Sequence, residues 1–191
     1  VNRKKSRLIL TIDDGYQSVK NILPITQKYN IPVTLFVLSN PSKANRQELE
    51  TSEKLMSIDD INMLHSQGWE IGCHSATHPN LTTLSNKQQE REIINAKLEL
   101  EDKLGYEVTS FAYPKGQYNG EVIEIVKNAK FTTAYTINSD IITYKSSHLL
   151  IPRTIIDATH HINELPGILS PTWIKLRKYT NKYRLWERYM S

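Results

Sequence analysis

The 191-residue chain has 39% hydrophobic content, enough for one substantial core and in keeping with a single domain over residues 1–191. Its net charge of +4, from 24 basic and 20 acidic residues, is too mild to mark a nucleic-acid partner, and no interleaved basic and aromatic motif accompanies it. The lone cysteine, Cys73, excludes an internal disulfide framework, and no apolar run is long enough to span a membrane. Residues 1–6 do not read as a secretory leader. An extracellular or envelope location is expected only if a leader was removed, and a cytoplasmic one otherwise.

Residues 7–12 read as a first strand, an apolar run that ends in Asp13, Asp14 and Gly15. Residues 16–29 carry helical spacing interrupted at Pro24. Residues 31–38 are almost continuously apolar and β-branched, the pattern of a parallel strand covered on both faces. Residues 39–54 are polar and weakly patterned, as a surface insertion would be. Ser57, with Asp60 three residues on, starts a helix that Gly68 ends. Residues 69–72 form a short strand that delivers Cys73 and His74 into a loop.

Ser85 and Gln88 form a capping-box pair ahead of a helix that runs to about Leu104, with Gly105 as its stop. Strands are expected at residues 108–113, 131–135 and 149–156, and a helix at 121–130. The tail from Ser170 spaces Trp173, Ile174, Leu176, Tyr179, Tyr183 and Trp186 as a docking helix would. Alternating strands and helices imply an α/β fold, either a barrel or an open sheet, with active residues at the C-terminal strand ends.

The chemistry concentrates at those ends. Adjacent carboxylates repel, and partial burial requires a positive or donating neighbour. His74 and His78 offer that answer. Two imidazoles and a carboxylate form a common set for Zn²⁺, Co²⁺, Ni²⁺, Mn²⁺ or Fe²⁺ that leaves positions open for water and substrate. The residues therefore point to a metal held by Asp14, His74 and His78, with Asp13 beside it as a base.

Residues 11–15 (Thr-Ile-Asp-Asp-Gly) resemble the first motif of the NodB-type polysaccharide deacetylases, carbohydrate esterase family 4. Residues 70–79 (Glu-Ile-Gly-Cys-His-Ser-Ala-Thr-His-Pro) resemble the second motif. Residues 111–116 are similar to the third-motif region in the branch acting on poly-N-acetylglucosamine and related exopolysaccharides. The resemblance implies a distorted, incomplete (β/α)7 barrel and metal-dependent removal of acetyl groups from an N-acetylated glycan. It implies Asp13 as base, Asp14, His74 and His78 on the metal (zinc foremost), backbone near Tyr113 facing the acetyl oxygen, and Ser75 or Thr77 bracing the loop.

Two departures from the pattern stand out. The family's later histidine, the acid for the leaving amine, has no match within residues 149–153, so the candidates are His148 first, then His160 and His161, or no histidine at all. The arginine that orients the base is absent before the third motif, where Thr109, Ser110 and Phe111 stand. Alternatives are a related metal-dependent amidohydrolase on a small substrate, or a weakly active or inactive glycan-binding module.

Overall fold

The computed structural model describes residues 8–44, 49, 53–157 and 159–182, with side chains up to residue 176. Its centre is a five-stranded parallel sheet in the order β1 (Leu10–Ile12), β2 (Val33–Val37), β3 (Glu70–Cys73), β4 (Ser110–Ala112), β5 (Thr133–Tyr135). Strands adjacent in sequence are adjacent in space, with helical segments between them. A 3₁₀ turn (Gln17–Ile22) and α1 (Leu23–Lys28) join β1 to β2, and α2 (Ile58–Ser66) leads into β3. Between β3 and β4 lie α3 (Asn86–Glu90), a π turn (Arg91–Asn95) and α4 (Ala96–Leu104). Then α5 (Gly120–Asn128) joins β4 to β5, and α6 (Leu165–Ile168) and α7 (Pro171–Lys182) follow.

Local chemistry explains most boundaries. Ser57 and Asp60 form a reciprocal capping box at α2, and Ser85 and Gln88 form another at α3. Gly105 stops α4 in the left-handed conformation at φ 80°. Pro24 falls in the first turn of α1, where its missing N–H is harmless, so the expected single helix becomes a 3₁₀ segment followed by an α segment.

The two faces of the sheet bury different sets, as period-two alternation demands. Leu35, Val37, Ile71, Cys73, Phe111 and Ala134 pack outward with Leu64, Ile93, Leu100, Val122 and Val126 in the main core. Phe36, Ala112 and Tyr135, joined by Ile151, fill the other face. Gly72 lies between: a Cβ there would sit 2.4 Å from the Phe36 ring and 2.7 Å from Ser110 Oγ. Only glycine fits.

The sheet is curled into an open barrel. Ile151 bridges Tyr135 in parallel, adding a sixth position beside β5. Six positions laid flat would span about 24 Å at the usual ~4.8 Å spacing, farther than a side chain reaches. Yet Arg153, two residues past Ile151, lies 2.7 Å from Asp13, the residue after β1. First and last positions therefore meet across the mouth, as an incomplete, distorted (β/α) barrel requires.

Some expectations change. The strand expected over residues 149–156 is reduced to the single Ile151 bridge. Pro152 has no N–H for a ladder, and Arg153 turns its guanidinium to Thr136 O and Asp13. Within the polar stretch 39–54, Pro41–Lys43 form a 3₁₀ turn, and Leu49 is buried. The C-terminal helix forms, but Trp173 and Leu176 remain 42% and 49% exposed, so these two are not seated in the core. Of the expected docking helix, Tyr183 and Trp186 lie outside the described residues. Among the described residues no helix is long and apolar enough to cross a membrane.

Candidate metal centre

The residues that gather at the barrel mouth occupy unusual backbone. Among the described residues six non-glycines have positive φ, and four of them stand in the three mouth loops: Asp14 (68°), Ser75 (67°), His78 (64°) and Lys115 (55°). Such conformations are costly for residues with a Cβ and collect where a fold imposes them for function. Gly15, at φ 79°, turns the chain directly after the two aspartates, with its amide bonded to Asp13 O. In the second loop Ser75 Oγ accepts from the His78 amide at 3.0 Å, which folds the two histidines toward each other.

Asp14 Oδ1 lies 3.6 Å from both His74 Nε2 and His78 Nε2. That separation is too long for a hydrogen bond. It suits atoms that share one ion at bond lengths of about 2.0–2.2 Å. One ligand atom from each of the three residues lies within 4.8 Å of the others, and all three side chains are nearly buried. Hydrogen bonding fixes which nitrogen of His74 is available. Its Nδ1 sits 2.9 Å from the Ala112 carbonyl, which can only accept, so Nδ1 carries the proton and Nε2 presents its lone pair. Burial, partly offset by Asp13 and Asp14, holds His74 below its ordinary pKa and so keeps it neutral at pH 7. An oxygen and nitrogen set with neutral imidazoles fits a divalent metal, and the mouth of the barrel is a divalent-metal site.

Asp13 stands beside this cluster with a different set of contacts. Its Oδ2 is 3.9 Å from His74 Nε2, while both its oxygens accept from Arg153, at 2.7 and 2.8 Å. Arg153 also donates to Thr11 Oγ1 and Thr136 O, and its guanidinium lies over the Phe36 and Tyr135 rings at 5.5 and 5.9 Å. It is therefore fixed before it meets the carboxylate. Burial pushes the Asp13 carboxyl up, but the neighbouring His74 and the charge and hydrogen bonds of Arg153 together outweigh it. The net pKa is lowered, so Asp13 stands charged beside the cluster of Asp14, His74 and His78.

The other expected site residues lie elsewhere. Tyr113 is fully buried: its amide donates to Tyr135 O at 3.1 Å and its hydroxyl to Leu149 O at 3.0 Å. Both its donors are spent on the framework. The turn just after it, Pro114–Gly116, reaches the mouth, with Lys115 in its left-handed conformation. His148 is exposed, and its carbonyl accepts from the Ala134 amide beside β5. His160 pairs with Asp157 at 3.0 Å, and His161 begins the 3₁₀ turn at Ile162–Glu164. None of these three histidines joins Asp14, His74 and His78 among the described residues.

Two residues that sequence reasoning passed over enter the site. Arg153 comes from beyond β5 to grip both oxygens of Asp13, where the family resemblance would put an arginine before β4; its one visible signal is a charge following an apolar run. Glu92, in the π turn, accepts from the Ala76 and Thr77 amides at 3.0 and 2.9 Å and from Thr77 Oγ1 at 2.8 Å.

With this geometry in place, comparison with known proteins gives a family. The family model described as polysaccharide deacetylase matches residues 1–134. The chain belongs to the polysaccharide deacetylase family. It is 30% identical over 129 residues to the peptidoglycan-N-acetylglucosamine deacetylase PgdA of Listeria monocytogenes, covering 64% of this chain and 24% of that one. It is 25% identical over 172 residues to the poly-beta-1,6-N-acetyl-D-glucosamine N-deacetylase of Staphylococcus aureus, covering 83% of this chain and 58% of that one. The chain thus spans less than two thirds of either curated relative. The deacetylase PplD of Streptococcus pyogenes shares the fold, with a TM-score of 0.73 at 23% identity over 88% of this chain and 73% of that one. The shared fold accounts for the curled sheet, at whose C-terminal edge Asp14, His74 and His78 gather.

Proposed function

We propose that this polysaccharide deacetylase-family chain hydrolyses N-acetyl groups on an N-acetylglucosamine-containing glycan. The observation that carries the reading is the placement of Asp14 Oδ1 at 3.6 Å from two histidine Nε2 atoms, with a charged Asp13 held alongside by Arg153. Relatives named for peptidoglycan and poly-N-acetylglucosamine deacetylation support the substrate class.

In this reading Asp14, His74 and His78 hold a divalent ion, with zinc the first candidate. The ion would supply Lewis acidity toward the acetyl oxygen and lower the pKa of water toward neutrality. Asp13 takes the proton of the attacking water, and Arg153 keeps its carboxylate ionised and aimed. The His74 Nδ1–H bond to Ala112 O keeps Nε2 facing the site. The backbone of the 114–116 turn, next to Tyr113, flanks the developing oxyanion.

The test is acetate release from N-acetylglucosamine oligomers by chelator-stripped protein, before and after adding Zn²⁺, Co²⁺ or Ni²⁺. The expected result is no release when stripped, restored release with metal, and a loss of about 10²–10⁴-fold in Asp13→Asn with metal still bound. Metal uptake without release from several acetylated glycans would instead favour a glycan-binding role.

A further inference from the structure

The loop that carries the second histidine is strained at both ends, with Ser75 and His78 left-handed. Something must hold it before any ion arrives, because positive φ at non-glycine residues is unfavourable in an unsupported loop. Three groups do so. Ser39 and Asn40, past β2, donate their amides to Ser75 O and Ala76 O at 3.2 and 3.0 Å. Ser75 Oγ takes the His78 amide. The crest of the loop, Ala76 and Thr77, is gripped by one carboxylate from a different element, Glu92.

We propose that Glu92 is a positioning residue for the metal site. It clamps the 75–78 loop so that His78 Nε2 is presented to Asp14 Oδ1 in advance of the ion. Two consecutive amides converge on Glu92 Oε2 at 3.0 and 2.9 Å, and the Thr77 hydroxyl donates to Oε1 at 2.8 Å. Hydrogen bonds to an ionised acceptor are stronger than neutral ones. The placement of Glu92 supports a dedicated role. It lies in the π turn that separates α3 from α4, a local widening that helices commonly carry at functional sites. Immediately beside it Ile93 is fully buried in the main core, which anchors the clamp to the framework. Glu92 therefore links the buried core to the strained loop that carries His78.

Glu101, in the same helical run, provides the contrast. Its Oε1 accepts from Lys97 Nζ and the Val108 amide, each at 2.9 Å, away from the mouth. Both glutamates are built into hydrogen-bonded junctions, but only one junction touches a loop bearing a proposed ligand.

The inference rests on the metal-binding part of the proposed function, and the experiment keeps the two apart. Zn²⁺ affinity is measured by chelator competition for the full chain and for Glu92→Ala, Glu92→Gln, Thr77→Val and Glu101→Ala, alongside the melting temperature of each metal-free protein. Expected are a loss of about 10–100-fold in affinity for Glu92→Ala, the range seen when outer-shell partners of a metal site are removed. Glu92→Gln, which keeps one acceptor oxygen for the two amides, loses less, and Thr77→Val, which removes a single donor, loses least. Glu101→Ala lowers the melting temperature and leaves Zn²⁺ affinity at the wild-type value. If Glu92→Ala does not fold, the ordered losses in Glu92→Gln and Thr77→Val carry the same test. Wild-type affinity in the folded Glu92 variants would overturn the clamp while leaving the metal site intact. No Zn²⁺ uptake by the wild-type chain would overturn both.

Discussion

Two acidic corners of the molecule show opposite designs. At the start of α2, Asp60 accepts from Lys20 Nζ at 2.7 Å, Gln17 Nε2 at 2.9 Å and Ser57 Oγ at 3.1 Å. Every partner is at hydrogen-bond distance, and the Asp60 pKa is lowered to about 2, with the Lys20 bond the leading cause. At the barrel mouth, Asp14 faces two imidazoles at 3.6 Å. Polar groups that only stabilise close up on one another; polar groups that await an ion stand one coordination sphere apart. Asp13 falls between the two designs, closed onto Arg153 at 2.7 and 2.8 Å but 3.9 Å from His74.

The contrast is sharpest for Asp14 itself. Asp14→Asn removes the ligand charge between the histidines and should abolish both stoichiometric metal binding and acetate release, with the circular dichroism spectrum retained. Retained metal binding in that variant would mean that the 3.6 Å spacing has been misread.

Arg153 should give the next largest effect. Arg153→Ala is expected to lower kcat by about 10²-fold, the scale of a misplaced catalytic group, with Zn²⁺ affinity nearly unchanged. The sign of the pH effect follows from the contacts. His74 and Arg153 together hold Asp13 below its ordinary pKa against burial, so removing the Arg153 share raises that pKa, and activity is then lost on acidification at a higher pH than in wild type. Arg153→Lys keeps the charge but not the two-pronged geometry, and should recover only part of kcat. A pH–rate profile identical to wild type in Arg153→Ala would show that the pair is merely structural.

Smaller effects test the framework rather than the chemistry. Gly72→Ala places a methyl 2.4 Å from the Phe36 ring and should destabilise by about 1–3 kcal/mol in a denaturant titration, as overpacking does. Asp60→Asn should cost about 1–2 kcal/mol at pH 7 and nothing in metal affinity. Because the folded Asp60 pKa is depressed, its contribution is complete above the unfolded value near 3.9 and disappears as pH falls through about 2. The stability difference between variant and wild type should shrink over that window.

What could be read from sequence divides along the same line between local and long-range contacts. The capping boxes at Ser57 and Ser85, the stop at Gly105 and the buried β2 are written in adjacent residues, and each appears where its pattern placed it. The Asp14, His74 and His78 cluster was legible because two strand ends carried it within short motifs. Arg153 was not, since its partner Asp13 lies 140 positions away in sequence and only the curl of the sheet brings them together. Residues 149–156 depart from their pattern for a related reason: apolar periodicity predicts a strand, but Pro152 and the pull of Arg153 toward Asp13 leave one bridge. Glu92 escaped notice because a glutamate on an exposed helical face is ordinary until the neighbouring loop is known.

The most direct measurement is equilibrium dialysis of Zn²⁺ against chelator-stripped wild type and Asp14→Asn. One ion per wild-type chain and none per variant chain is the expected result. Equal uptake by both proteins, or none by either, would contradict a metal centre at Asp14, His74 and His78.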